Sequence, residues 1–295
     1  MCQDGEVVAL SKKVALTVDL EEWTVPEDFT PTQVPESVKL EVACRGLNRI
    51  LDIFSVEGVK ATFFVTTYFA KRNSELLRNI LQAGHEIGNH GLEHVRKPRR
   101  TLKEEVEAIK ESTSVIEKSA GIKPCGYREP YLAISKSTIA ALTQVGYLYD
   151  SSILGTWLPN KIQWITVPSI PFKWETKIFD QQQNLVEFPL SVFPKLRAPV
   201  GWWWFRKNFG ESIPLATASL LFRLAQPFII NMHTWELTEI PPGYSVPFHV
   251  RFNCGERSVI QIHRLITGLK RLGAEFVLMK TMVLDNPALR GSARK

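Results

Sequence analysis

His90 and His94 lie four residues apart in the stretch Gly84-His85-Glu86-Ile87-Gly88-Asn89-His90-Gly91-Leu92-Glu93-His94. On a helical turn that spacing puts two imidazoles on one side, one above the other. Two stacked imidazoles can share one divalent ion, typically zinc, when a third ligand arrives from elsewhere. With six histidines in the chain such a pair also arises by chance, so its meaning depends on what surrounds it. Asp19, Glu21 and Glu22 follow the β-branched run at residues 14–18. Asp19 and Glu21 share one side if the strand continues, because alternate residues do. One carboxylate can then bind metal while another acts as a base, provided their environments separate their proton affinities. An acidic cluster after a strand is equally an ordinary solvated loop. Arg128, in Tyr127-Arg128-Glu129-Pro130-Tyr131, can fix a carboxylate through paired hydrogen bonds, or simply sit at the surface. His233 directly follows an apolar run, where a histidine is more often structural than catalytic. His85, His249 and His263 have no comparable setting and read as structural.

The elements that must position these residues alternate in type. Strands are predicted at about 14–19, 61–65, 86–88, 126–128, 147–150, 186–188, 228–233 and 275–278. Helices are predicted at about 40–55, from 66 to 83, at 101–119 behind a Thr101/Glu104 capping box, at 135–145, 213–225 and 256–272. Residues 24–38, with three prolines, read as a loop; a hairpin is expected near 173–184; residues 201–206, Gly-Trp-Trp-Trp-Phe-Arg, read as an aromatic loop. This alternation implies one largely parallel sheet, and seven or eight such units favour a barrel over an open sheet. The fold expected is therefore a single-domain, distorted (β/α) barrel with seven or eight parallel strands. Asp19, His90, Arg128 and His233 all fall at or just past C-terminal strand ends, where such barrels keep their chemistry.

Composition excludes several classes. The chain has 295 residues, 44% apolar, enough for a sizeable core. Its net charge of +6 permits an anionic partner such as a phosphate-linked lipid or a membrane surface, although the basic runs at 96–100 and 290–295 read as solvated. The four cysteines are scattered without Cys-x-x-Cys, which suggests neither a zinc ribbon nor a dithiol site, and they read as reduced thiols of a cytosolic protein. The first residues lack a signal-peptide pattern, and no stretch reaches the roughly 18 uninterrupted apolar residues of a membrane span. A cytoplasmic location, with peripheral association at the inner face of a membrane, is the expectation. Nucleic acid is not an expected partner, and the oligomeric state is left open.

Taken together, Asp19 at a strand end, His90-x-x-x-His94, Arg128-x-Pro130-Tyr131 and the late His233 resemble, in order and spacing, the successive motifs of the polysaccharide deacetylases, carbohydrate esterase family 4. The resemblance spans residues 14–282, leaving 1–13 as an extension and 283–295 as a tail. It is closest to the branch associated with exosortase and exopolysaccharide loci, through Asp19 to Trp23, Tyr149 to Ser152, Gly201 to Arg206 and His233 to Glu236. It implies a metal-dependent hydrolase that removes an acetyl group from an N-acetylated sugar in a polysaccharide, oligosaccharide or lipid-linked glycan. By the same resemblance, His90 and His94 hold a divalent metal, usually zinc, with a first-motif carboxylate. Asp19 is the general base, Arg128 orients it, the Tyr131 backbone N–H stabilises the oxyanion, and His233 is the general acid, with Asp150 loosely matched as its orienting partner. The chain departs from the common Asp-Asp first motif: Leu20 occupies the metal-binding position. The third ligand is then Glu21 or Glu22, with Glu21 preferred because acidic variants of this motif place the ligand two after the base. Gly91 replaces the hydroxyl residue that often follows the first metal histidine. Two alternatives stand beside this reading: a hydrolase of a non-sugar linear or cyclic amide on the same site, and a catalytically inactive glycan-binding barrel. The retained base, metal pair, arginine and acid speak against the latter. The three tryptophans at 202–204 either stack on a sugar ring near a membrane or pack on the barrel mouth.

Overall fold

A computed structural model describes residues 10–95, 100–159, 161–174 and 185–289. Most of the basic run at 96–100, the tail at 290–295 and the tip of the expected hairpin lie outside these residues. The strands are β1 (Lys13–Leu20), β2 (Thr62–Val65), β3 (Glu86–Asn89), β4 (Gly126–Tyr127), β5 (Tyr149–Asp150), β6 (Phe172–Lys173), β7 (Val186–Glu187), β8 (Phe228–His233) and β9 (Glu275–Phe276). The helices are α1 (Glu36–Val56), α2 (Thr67–Arg72), α3 (Ser74–Gln82), α4 (Leu102–Ala120), α5 (Lys136–Val145), α6 (Trp203–Phe209), α7 (Ser212–Arg223), α8 (Phe248–Arg251), α9 (Glu256–Arg271) and α10 (Met279–Leu284).

One sheet runs in the order β6-β7-β5-β4-β3-β2-β1-β8, with β9 beside β1. Every pairing is parallel except β6 with β7, the base of the expected hairpin. Val14 pairs with both Phe228 and Phe276, so β9 takes the β2 side of β1 below the start of β2. A non-strand segment crosses from β7 to β8. There Ser191 N–H donates to the Ile229 carbonyl, Ile229 N–H donates to Ser191 Oγ, and Asn231 N–H donates to the Gly201 carbonyl. Gly201 permits that approach: a Cβ there would lie 2.4 Å from the Ile229 carbonyl oxygen. The sheet thus curls into the distorted (β/α) barrel that the alternation implies.

Period-two alternation divides the sheet's faces. Val14, Leu16, Val18 and Leu20 join Phe63, Val65, Ile230 and Met232 in the outer core under the helices. Ala15, Phe64 and Ile229 pack on the other side, the side that Thr17, Asp19, Asn231 and His233 share by parity. Leu20 is therefore committed to the outer core, and Glu21 returns to the inner side.

Local chemistry sets several boundaries. The Thr101/Glu104 capping box opens α4, and Ser135 Oγ accepts from Thr138 N–H at the start of α5. The helix expected from 66 to 83 is two helices, broken at Asn73, whose amide and backbone N–H both return to the Phe69 carbonyl. The expected aromatic loop is helical from Trp203 onward, as α6. Among the described residues no helix is long and apolar enough to cross a membrane.

Candidate active site

The His90/His94 pair does not sit on a helix. His90 follows β3, and Gly91, at φ +79°, turns the chain out of helical geometry while its N–H donates to Asn89 Oδ1. The two imidazoles still meet, with ring centroids 5.6 Å apart, because the loop folds back onto the strand ends. Glu21 Oε2 lies 3.0 Å from His94 Nε2 and 3.5 Å from His90 Nε2. Donor atoms of the three residues all fall within 4.8 Å of one another.

The hydrogen bonds around this cluster decide what it can hold. His90 Nδ1 is 2.7 Å from the Arg128 carbonyl oxygen. A carbonyl only accepts, so Nδ1 carries a proton, and in the neutral ring Nε2 presents a lone pair toward Glu21. Both His90 Nε2 and Glu21 Oε2 are buried without a well-formed hydrogen bond. Two buried acceptors facing each other are costly unless a proton or a cation lies between them. A nitrogen-rich set with one carboxylate fits a divalent metal such as zinc, with room left for water or substrate. Burial alone would raise the Glu21 pKa, but His94 and His233 outweigh it and hold the carboxyl well below the usual range, so Glu21 is anionic.

Glu22 points elsewhere. Its Oε2 accepts from the Thr66 hydroxyl at 2.6 Å, and its Oε1 accepts the His94 backbone N–H at 2.8 Å. Burial pushes its pKa up. Of the two glutamates, Glu21 joins the histidines and Glu22 anchors the backbone of the loop that carries His94.

Asp19 stands beside the cluster, gripped on both oxygens. Arg128 Nη1 donates to Oδ1 at 2.7 Å, and Asn231 Nδ2 donates to Oδ2 at 3.1 Å. Arg128 is fully buried, and its remaining donors go to Thr17 Oγ1, the Ser151 carbonyl and Ser151 Oγ. Burial opposes ionisation of Asp19, but Arg128 and the nearby histidines more than compensate, and its pKa is lowered. His233 Nε2 lies 3.5 Å from Asp19 Oδ2 and 4.0 Å from Glu21 Oε1.

His233 is oriented from behind by Glu236, not by Asp150. Glu236 Oε1 lies 3.2 Å from His233 Nδ1 and accepts the His233 backbone N–H at 2.6 Å. The other Glu236 oxygen forms a buried ion pair with Arg206 of α6. Burial would lower the His233 pKa, but Glu21, Glu236 and Asp19 raise it to about 9. Asp150 instead accepts from the Ser152 hydroxyl and N–H and lies across from Glu187 on the neighbouring strand β7. Burial pushes both carboxyls of that pair up, Glu187 furthest.

Tyr131 follows Pro130 in a left-handed turn, φ 57°, with Leu132 at φ 52°. Its ring centroid sits 4.1 Å from that of His94, and its hydroxyl donates to Asp28 Oδ1. All seven site residues proposed from sequence, Asp19, Glu21, His90, His94, Arg128, Tyr131 and His233, thus meet in one region. Asn231, Glu236 and Arg206 belong to it and carry no role in the sequence reading. Asn231 stands two residues before His233 on one strand, so its parity with a site histidine is the signal that points to it. A cleft of about 730 Å³ opens above these residues, with Trp202, Trp203 and Trp204 along one wall.

Residues 43–149 match the polysaccharide deacetylase family. That span holds His90, His94, Arg128 and Tyr131 but neither Asp19 and Glu21 nor His233. The chain is 32% identical over 109 residues to a peptidoglycan deacetylase of Helicobacter pylori, covering 37% of each protein. It spans about a third of the length of the curated relatives it matches. Among solved structures, it resembles a Mycobacterium smegmatis protein assigned as a polysaccharide deacetylase, with TM-score 0.58, 19% identity and coverage of 93% of this chain and 94% of that one. It also resembles Puue allantoinase, with TM-score 0.67, 14% identity and coverage of 96% and 91%. At those identities the structural likeness speaks for the fold.

Proposed function

We propose that this chain, whose residues 43–149 match the polysaccharide deacetylase family, is a metal-dependent hydrolase that removes the acetyl group from an N-acetylated sugar. One observation carries the reading. A carboxylate gripped by arginine and a carboxylate-backed histidine flank a three-residue cluster able to hold a metal, and all line a single cleft.

Glu21, His90 and His94 hold a divalent cation, zinc being the best match to two imidazoles and one carboxylate. When bound, that cation supplies Lewis-acid polarisation of the amide carbonyl and makes a water acidic enough to attack near neutral pH. The chain's own residues do the rest. Asp19, kept anionic by Arg128, takes a proton from the attacking water. Arg128 and Asn231 fix both Asp19 oxygens, so the base cannot rotate away. The Tyr131 backbone N–H, in its left-handed turn beside His94, serves the developing oxyanion. His233 carries a proton on Nε2 while Nδ1 faces Glu236 and gives it to the departing nitrogen. The carbon–nitrogen bond breaks, a carbon–oxygen bond forms, and acetate and a free amino sugar leave. With base, ligand set and acid all in place, an inactive binding barrel is the weaker reading.

The test is acetate release from a panel of N-acetylhexosamine substrates by the zinc-loaded protein, with Asp19→Asn as control. Release that depends on Asp19 supports the proposal. No release from any sugar, with turnover of a non-sugar amide, overturns it.

A further inference from the structure

Resting on the deacetylase reading, the walls of the cleft narrow the substrate. From His233 outward, aromatic rings follow one another: Trp203 at 5.3 Å, then Trp202 at 5.9 Å, Trp204 at 5.8 Å and Phe209 at 5.9 Å between successive centroids. Trp204 also meets His249, whose chain neighbour Phe248 is 73% exposed; Phe209 is 54% exposed. The cleft is also lined by Leu132, Ile134, Leu154 and Leu158, and Trp157, the chain neighbour of Leu158, is 54% exposed. Successive ring contacts therefore lead from the reacting histidine, along the tryptophans that line the cleft, to the exposed ring of Phe209.

Two features set this apart from a platform for a sugar polymer. A sugar ring stacks on an open aromatic face, but Trp202 and Trp204 lie nearly parallel, 28° apart, and turn their faces to one another. Trp203 meets Trp202, Trp235 and His233 edge to face, and the Lys207 ammonium lies 5.6 Å from its ring centroid. A second polar glycan residue also needs hydrogen-bonding groups along the wall. Lys161 donates to the Tyr131 and Leu132 carbonyls, Glu129 accepts from the Tyr127 hydroxyl, and Asp28 accepts from the Tyr131 hydroxyl. These charged wall residues already serve the protein itself. The wall is continuous with the reaction cleft, so what lies along it is attached to the group being hydrolysed.

We propose that the substrate is a glycolipid: an N-acetylated sugar whose attached hydrocarbon chain runs along the residue 202–204 wall toward Phe209 and Phe248. The cleft, at about 730 Å³, sits high in the range of roughly 300–1,000 Å³ for small-molecule sites, which suits one sugar and the first part of a chain.

The experiment titrates the full, zinc-loaded chain with three probes, following tryptophan fluorescence for binding and acetate for turnover. The probes are the methyl and octyl β-glycosides of N-acetylglucosamine, the octyl one below its micellar concentration, and the tetramer of N-acetylglucosamine. The octyl glycoside is expected to bind at least about tenfold tighter than the methyl glycoside, the effect of roughly two buried methylenes, and tighter than the tetramer. The double variant Phe209→Ser, Phe248→Ser, altered at two exposed positions, is expected to close most of that gap. Equal affinity for the two glycosides, tighter binding of the tetramer, or a gap untouched by the double variant overturns the proposal. Octyl-selective binding with no acetate from any probe leaves the glycolipid assignment standing and sinks the deacetylase reading, so the two fail separately.

Discussion

Two histidines flank β1, His90 beyond β3 and His233 at the end of β8, and what touches each ring's far nitrogen differs. His90 gives its Nδ1 proton to a neutral carbonyl, that of Arg128. In the neutral ring its Nε2 is left as a lone pair beside Glu21, a state suited to a cation. His233 turns Nδ1 to the carboxylate of Glu236, itself paired with Arg206, and Glu21, with Glu236 and Asp19, raises its pKa to about 9, a state suited to donating a proton. The imidazoles are chemically the same; the partner behind each one selects ligand or acid.

The largest effect is expected at His233. His233→Gln is expected to lower kcat by about 10²–10⁴ while leaving metal stoichiometry at one, as measured by steady-state acetate release and calorimetric zinc titration. Loss of the metal in that variant would erase the distinction between the two rings. Next comes the partner. Glu236→Gln keeps the shape but removes the charge that supports the protonated ring, and kcat is expected to fall about 10- to 100-fold with KM little changed. Glu236→Asp is expected to recover part of that loss; a rise in KM alone would assign Glu236 to substrate binding.

A smaller effect is expected on the other side of the base. Asn231→Ala frees one Asp19 oxygen while Arg128 still holds the other, so a loss of about tenfold in kcat is expected. A loss as large as that of Asp19→Asn would mean that Asn231 touches the reaction directly.

Outside the cleft, the Asp150–Glu187 pair gives a contrast in stability. Both carboxyls have raised pKa values, so the folded state keeps protons that the unfolded chain has released. Their contribution is fully present below the ordinary carboxylate range and is lost as pH rises through the raised values, about 6 for Asp150. Glu187→Gln fixes the neutral form. Relative to wild type, it is expected to be more stable at pH 8 than at pH 5, by urea unfolding. An unchanged difference across that range would mean that the pair holds no extra proton.

Much of this arrangement was legible in the sequence. The alternation of strand and helix gave the barrel, and parity on β1 put Asp19 and Glu21 on one side with Leu20 on the other. The resemblance brought His233 and Arg128 to the same place. What stayed hidden depends on contacts that spacing does not encode. The helical spacing of His90 and His94 suggested a helix, yet Gly91 in a left-handed conformation makes a loop. Three successive tryptophans have modest helix propensity, yet α6 forms, with the Lys207 ammonium donating to the carbonyls of Val250 and Phe252. Asp150 sits at a strand end like the other site residues, but its side chain meets Glu187, while Glu236 reaches back three residues to His233. Which acid serves which base was a question of tertiary packing.

In the proposed mechanism, metal binding and proton transfer belong to different residues on the same strand end. Zinc titration of Glu21→Gln and Asp19→Asn, two neutral isosteres two positions apart, tests it directly. Asp19→Asn is expected to bind one equivalent of zinc with near wild-type affinity and release no acetate, whereas Glu21→Gln is expected to lose stoichiometric zinc at the same concentrations. Retained zinc in Glu21→Gln, or its loss in Asp19→Asn, would contradict the assignment.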